Sequence, residues 1–267
     1  MKMKWFLSIV ICILIGEPKS QNLAIPIRED FQKYYTQFDV SGTFAVLDEK
    51  NNKLTLYNPS KYSERVTPAS TFKICNALIG LETGTIKDKY EIFEWDSIVR
   101  KNETWNKNQD LQTAFKNSTV WYFQKMAREI GGQEMKCWLD KLNYGNADTT
   151  GGIDLFWLQG GMRISPKEEI EFLQKLNNLE LPCTEKNMKQ VKEMMLIERT
   201  EKYAIYGKTG WGMNGNNDLG WFVGFVETNN NVYYFANCIE SNDELFRNFA
   251  IARKEITYKI LTELRIL

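Results

Sequence analysis

Ser70 and Lys73, in the run Ser70-Thr71-Phe72-Lys73, are a pair whose types and spacing suit nucleophilic chemistry. Residues i and i+3 share one face of a helix, so the lysine amine can reach the serine hydroxyl. A helix start adds free backbone N–H groups and a field that favours developing negative charge. Alone the pair is a weak signal, because a helix-capping serine ahead of a surface lysine has the same pattern. Lys73 argues against that: Phe72, Ile74, Cys75, Ala77 and Leu78 surround it on an otherwise apolar helix. An amine buried there is costly unless it has a partner or a chemical task. The chain contains no histidine. That excludes Ser-His-Asp and Cys-His catalysis, His-ligated metal sites and the usual neutral-pH proton shuttle. Any general base must be another group.

Three short motifs follow in order: Ser118-Thr119-Val120, Tyr144-Gly145-Asn146 and Lys208-Thr209-Gly210, the last followed by Trp211. Each alone could be a capping serine, a tight turn or a strand terminus. Their joint occurrence in this order is far more specific.

The elements that must position them follow from hydropathy and turn residues. Gly42 to Leu47 and Lys53 to Tyr57 read as strands joined by the turn 48–52. Pro68 precedes an apolar helical run from Phe72 to Leu81, ended near Gly84. Residues 86–194 look mainly helical and looped, with the clearest helices over Lys167 to Leu176 and Glu185 to Met195. Strands return at Ala204 to Lys208, Leu219 to Glu227 and Val232 to Ile239, so that Lys208-Thr209-Gly210 stands at a strand end. An amphipathic helix from Asn248 to Leu264 closes the chain, with Phe249, Ala252, Ile256, Ile260 and Leu264 on one stripe. The fold class is α/β of the α+β type. One antiparallel sheet is built from both chain ends (about 21–85 and 196–267), and a mostly helical part (about 86–195) is inserted between them. A cleft between the two parts is the natural site.

With these motifs the sequence resembles a class D serine β-lactamase, an oxacillinase, within the penicillin-recognising serine enzymes. S-x-x-K and K-T-G are shared across that group, whereas S-x-V and Y-G-N point to class D. Pro68-Ala69-Ser70-Thr71-Phe72-Lys73, Phe156-Trp157-Leu158-Gln159-Gly160, Arg163-Ile164-Ser165 and Gly207-Lys208-Thr209-Gly210-Trp211 agree, and the resemblance runs from about residue 30 to 265. It implies that Ser70 is the nucleophile and that Lys73, N-carboxylated by CO₂ or bicarbonate, is the general base. It implies no metal and no other cofactor. Burial that lowers a lysine pKa from about 10.4 supplies the neutral amine CO₂ requires. By the same resemblance Trp157 steadies the carbamate through its indole N–H, and Val120 is part of the apolar wall. Ser118 relays a proton to the leaving nitrogen and Lys208 supplies positive potential. The backbone N–H groups of Ser70 and Trp211 form the oxyanion hole. Thr209, Gly210 and Arg253 bind substrate, and Tyr144 is placed with them as a residue that shapes the cleft. Arg253 is placed only by Ala252-Arg253-Lys254-Glu255-Ile256, and on a helix it could equally be a solvated arginine.

The whole chain has 267 residues with 34 basic and 34 acidic side chains, which argues against nucleic acid as a partner. Met1 to Ser20 reads as a leader: Lys2 and Lys4 precede an apolar stretch from Trp5 to Ile15 that is too short to span a bilayer. An uncleaved anchor or a lipoprotein leader using Cys12 are the alternatives. The expectation is an exported, periplasmic single domain over residues 21–267, monomeric or homodimeric, with no membrane contact after cleavage. Cys75, Cys137, Cys183 and Cys238 show no C-x-x-C spacing, so neither a metal knuckle nor a redox motif is visible. One disulfide is compatible with export, though buried free thiols suit most of them better. Besides a hydrolase, two readings remain: a β-lactam sensor domain that stays acylated, and a cell-wall transpeptidase. Single-domain length, Val120 and Trp157 favour the hydrolase.

Overall fold

Strands that are apolar on consecutive residues must be covered on both faces, and the central strands of this chain are of that kind. In the structure, a computed structural model describing residues 25–242 and 246–267, they form a six-stranded antiparallel sheet. The leader over residues 1–20 lies outside the described residues. The sheet strands are β1 (Ser41–Asp48), β2 (Lys53–Tyr57), β5 (Leu196–Arg199), β6 (Tyr203–Asn214), β7 (Asn217–Thr228) and β8 (Val232–Ser241). Their spatial order is β2-β1-β8-β7-β6-β5. The join between the two chain ends is β1 against β8, with Ala45 opposite Ala236.

Along each strand, alternate side chains enter two different cores. Phe44, Phe222, Val226, Phe235 and Ile239 face helix α8 (Phe246–Glu263) and the short α1 (Gln32–Thr36). Ala45, Trp221, Val223, Tyr234 and Ala236 face the opposite way, into the larger core. That core is completed by α2 (Lys73–Glu82), α3 (Leu111–Asn117), α4 (Val120–Ile130), α5 (Gly132–Leu142), α6 (Pro166–Asn177) and α7 (Glu185–Met195). A two-stranded ribbon, β3 (Ile92–Phe93) with β4 (Gln109–Asp110), sits within the helical part.

The expected strands and helices lie within a few residues of those observed, with one correction that matters for the site. Lys208-Thr209-Gly210 does not end a strand. β6 continues to Asn214, paired with β7 down to Asn214 opposite Asn217. Gly210, Gly212 and the polar Thr209 interrupt the apolar alternation there, so periodicity loses the strand although its hydrogen bonds persist. Beyond Tyr206 the outer edge of β6 is no longer covered by β5, and the turn Ala69–Phe72 packs beside it. A Cβ added at Gly210 would lie 3.0 Å from the Pro68 carbonyl oxygen. A side chain there would force the turn to give by a few tenths of an ångström. The four described cysteines are free thiols; Cys75 and Cys238 are buried and Cys137 is exposed.

Candidate active site

Ser70 lies in a single 3-10 turn, Ala69–Phe72, that runs straight into α2 at Lys73. The turn is strained and held: Ala69 has φ +50°, and its N–H donates to the Trp157 carbonyl at 3.1 Å. An alanine in the left-handed region persists only where its surroundings over-determine it. The Trp221 indole N–H adds a bond to the Thr67 carbonyl at 2.9 Å, tying β7 to the same segment. Lys73 is wholly buried and its Nζ donates to Ser70 Oγ at 2.6 Å. Burial first, and then the charge of Lys208, hold its pKa well below the ordinary value.

The other motifs converge on this pair. Ser118 sits at φ +55° between α3 and α4, and its Oγ accepts from Lys208 Nζ at 3.0 Å. Burial, with a smaller contribution from Arg253, lowers the Lys208 pKa to about 7. Arg253, on α8, donates to the Gly210 carbonyl at 2.5 Å and lies 5.5 Å from the Trp211 ring centroid. Burial lowers its pKa to about 10. Thr209 is partly exposed beside them. Among the described residues, Lys73, Lys208 and Arg253 take part in no ion pair. Lys208 and Arg253 stand near the Ser70–Lys73 pair with no carboxylate partner among the described residues, a field that favours an anion in the cleft.

Trp157 packs at ring-centroid distances of 5.3 Å from Phe72 and 4.9 Å from Phe156. Its indole Nε1 is buried and has no hydrogen-bond partner. Val120 opens α4 next to Ser118 and Thr119, and the Phe123 ring of the same helix lies 5.4 Å from Lys73 Nζ. An amine with a pKa lowered by burial, an unpaired N–H donor and apolar walls are surroundings that favour N-carboxylation of a lysine.

Tyr144 departs from its expected place around the substrate. It is 1% exposed, packs on Phe72 and Phe172, and its hydroxyl faces Glu169 at 3.4 Å. The Y-G-N motif is a clamp under the site. Asn146 Nδ2 donates to the Gly161 carbonyl at 2.9 Å, and the Asn146 and Arg163 N–H groups bond across the two segments at 2.9 and 2.8 Å. Gly145, at φ +55°, brings its Cα where a Cβ would stand 2.2 Å from the Arg163 carbonyl oxygen. Glu169 escaped sequence reasoning, and Asn146 was read there only as part of a motif, with no part assigned to its side chain. The first had a usable signal: Glu169 shares the helical stripe of Ile170, Leu173 and Leu176, which marks it as buried.

Comparison with known proteins decides the family. The model of the penicillin binding protein transpeptidase domain matches residues 29–262. A probable β-lactamase, YbxI of Bacillus subtilis, is 42% identical over 213 residues, covering 80% of this chain and 79% of its own. The crystal structure of a class D β-lactamase, YbXI from Nostoc, superposes with a TM-score of 0.85 at 40% identity, covering 89% of this chain and 99% of the other. The chain belongs to the class D serine β-lactamases. The C-terminal domain of the Bacillus licheniformis BlaR penicillin-receptor has the same fold, with a TM-score of 0.85 at 34% identity, covering 91% of this class D chain and 97% of its own. The fold is thus shared by hydrolases and a receptor, and the distinction between them rests on the chemistry of the site.

Proposed function

We propose that the protein hydrolyses the lactam amide of β-lactam antibiotics through an acyl-enzyme on Ser70, and so confers resistance to them. The observation that carries this reading is the 2.6 Å contact between a fully buried Lys73 amine and the Ser70 hydroxyl. A lysine held neutral by burial can take a proton from a neighbouring hydroxyl at pH 7, which a solvated one cannot. Ser70 Oγ attacks the lactam carbonyl while Lys73 receives its proton. The backbone N–H groups of Ser70 and Trp211 stabilise the oxyanion. Ser118, bonded to Lys208, passes a proton to the leaving lactam nitrogen. Thr209, Arg253 and the field of Lys208 hold the substrate carboxylate. CO₂-derived carboxylation of Lys73, fitted by Trp157 Nε1 and the apolar wall of Val120 and Phe123, would supply an anionic base for acylation and deacylation.

The fold shared with a penicillin receptor supports a second reading, in which acylation occurs and deacylation fails. A progress curve of residues 21–267 with a chromogenic β-lactam, with and without bicarbonate, separates the two. Sustained turnover that rises with bicarbonate supports the hydrolase. A single stoichiometric burst indifferent to bicarbonate supports the receptor-like reading. We infer export to the periplasm from the leader over residues 1–20; among the described residues no helix is long and apolar enough to cross a membrane. Recovery of activity in an osmotic-shock fraction tests it.

A further inference from the structure

Glu169 has no part in the chemistry above, yet its carboxyl touches the residue next to the nucleophile. It is wholly buried on the inner face of α6. Its Oε1 stands 2.6 Å from Thr71 Oγ1, and its Oε2 has no hydrogen-bond partner. Thr71 Oγ1 is at the same time 2.9 Å from the Pro68 carbonyl oxygen. A hydroxyl carries one proton. If Glu169 is ionised, Thr71 can donate to only one of its two flanking oxygens, and the other faces a lone pair at hydrogen-bonding distance. If Glu169 carries a proton, it donates to Thr71 Oγ1, Thr71 donates to Pro68, and both contacts are satisfied. With the Tyr144 hydroxyl 3.4 Å from the same Oε1, the proton count of these contacts favours the neutral acid.

We propose that Glu169 is a positioning residue whose neutral acid, bonded through Thr71 to Pro68, holds the strained Ser70 turn for attack, and that its ionisation loosens the turn and lowers turnover. This rests on the acyl-transfer reading of Ser70. The groups around Glu169 agree with it. On α6 itself Glu168 is engaged by Arg65 and by the Ser165 backbone N–H. The segment between α5 and α6 presents Tyr144, α2 presents Cys75 and β8 presents Cys238, each held protonated by burial. Among the described residues β1, β7 and α7, which also pack on α6, contribute no charged group that acts on the carboxyl. Lys167, two residues away on α6, faces Glu171, and the Lys73 amine is bonded to Ser70. Among the described residues no cation pairs with Glu169.

Burial pushes this carboxyl up to about 7 from an ordinary 4.5. The folded protein then binds the proton more tightly than the unfolded chain. Its contribution to stability is complete below about 4.5, falls as pH rises to about 7, and is level above that. Glu169→Gln is the informative variant, because its amide N–H donates to Thr71 and does not titrate. Tm and kcat/KM are measured for both proteins from about pH 5 to about pH 9. The expected result is a fall in wild-type kcat/KM of about tenfold between pH 6 and pH 8, and a smaller fall in E169Q. The wild-type decline in Tm between about pH 5 and about pH 7 is flattened in the variant. Lys208 titrates in the same range but is present in both proteins, so the difference between them belongs to Glu169. Parallel profiles in both measurements would overturn the proposal. If E169Q does not fold, infrared spectra of the wild type decide: a protonated-carboxyl band at pH 6 that is gone by pH 8 supports it, and no such band at pH 6 refutes it. A wild type that never turns over β-lactams would refute the hydrolase reading alone, and the Tm and infrared data would still decide the Glu169 proton.

Discussion

Lys73, the proposed base, is an ordinary side chain whose acidity is set by placement. Its apolar neighbours on α2 made its burial legible from the sequence, and burial is the larger cause of its lowered pKa, ahead of the charge of Lys208. Ser70→Ala should lower kcat/KM by roughly a factor of 10⁵–10⁶; near-normal hydrolysis by that variant would sink the mechanism. Lys73→Ala should slow both acylation and deacylation, read by pre-steady-state and steady-state kinetics. Trp157→Phe removes a buried indole N–H that lacks a partner among the described residues, so more bicarbonate should be needed for full activity; an unchanged bicarbonate titration would count against Trp157. Arg253 bonds to the Gly210 carbonyl and has no carboxylate partner among the described residues. Arg253→Ala should raise KM by about 10- to 100-fold, with a smaller effect on kcat. Glu169 was far harder to see, because its role depends on Thr71 and Pro68, some hundred residues earlier in the chain.

At the scale of elements, the capping chemistry of α6 and the Y-G-N clamp set the floor of the site. Ser165 and Glu168 form a reciprocal capping box at the start of α6. Ser165→Ala should cost about 1 kcal/mol in chemical denaturation. Gly145→Ala meets both a positive φ and the Arg163 carbonyl oxygen. It should cost about 1–3 kcal/mol and reduce kcat, because the loop it anchors carries Trp157. A fully stable, fully active variant would show that the clamp is dispensable. The strands with strict apolar character and the helices with clear caps were legible from residue type. β5 was not: all four of its residues are exposed, so no alternation marks it, and it forms only because β6 offers an edge.

For the whole molecule, the decisive contact is the pairing of β1 with β8 across almost two hundred residues of sequence. It makes the N-terminal strands and α8 parts of one layer, and α8 both covers the sheet and delivers Arg253. A chain ending at residue 245 exposes the core that Phe249, Ile256 and Ile260 cover. It should lose cooperative thermal unfolding; a truncated chain with an intact transition would contradict the two-core description. The sequence by itself excluded histidine chemistry and singled out Ser70, Lys73, Ser118 and Lys208 as the proposed catalytic group, because residue type, spacing and order are local properties, and the family resemblance supplied the reaction class. The sequence also determined most elements, through periodicity and caps. Only the tertiary structure decided that K-T-G lies within a strand, that Tyr144 is buried beneath the site, and that Glu169 shares a proton-limited contact with Thr71. Those facts depend on burial and on which distant groups face each other, and both are settled when the sheet closes over the helices.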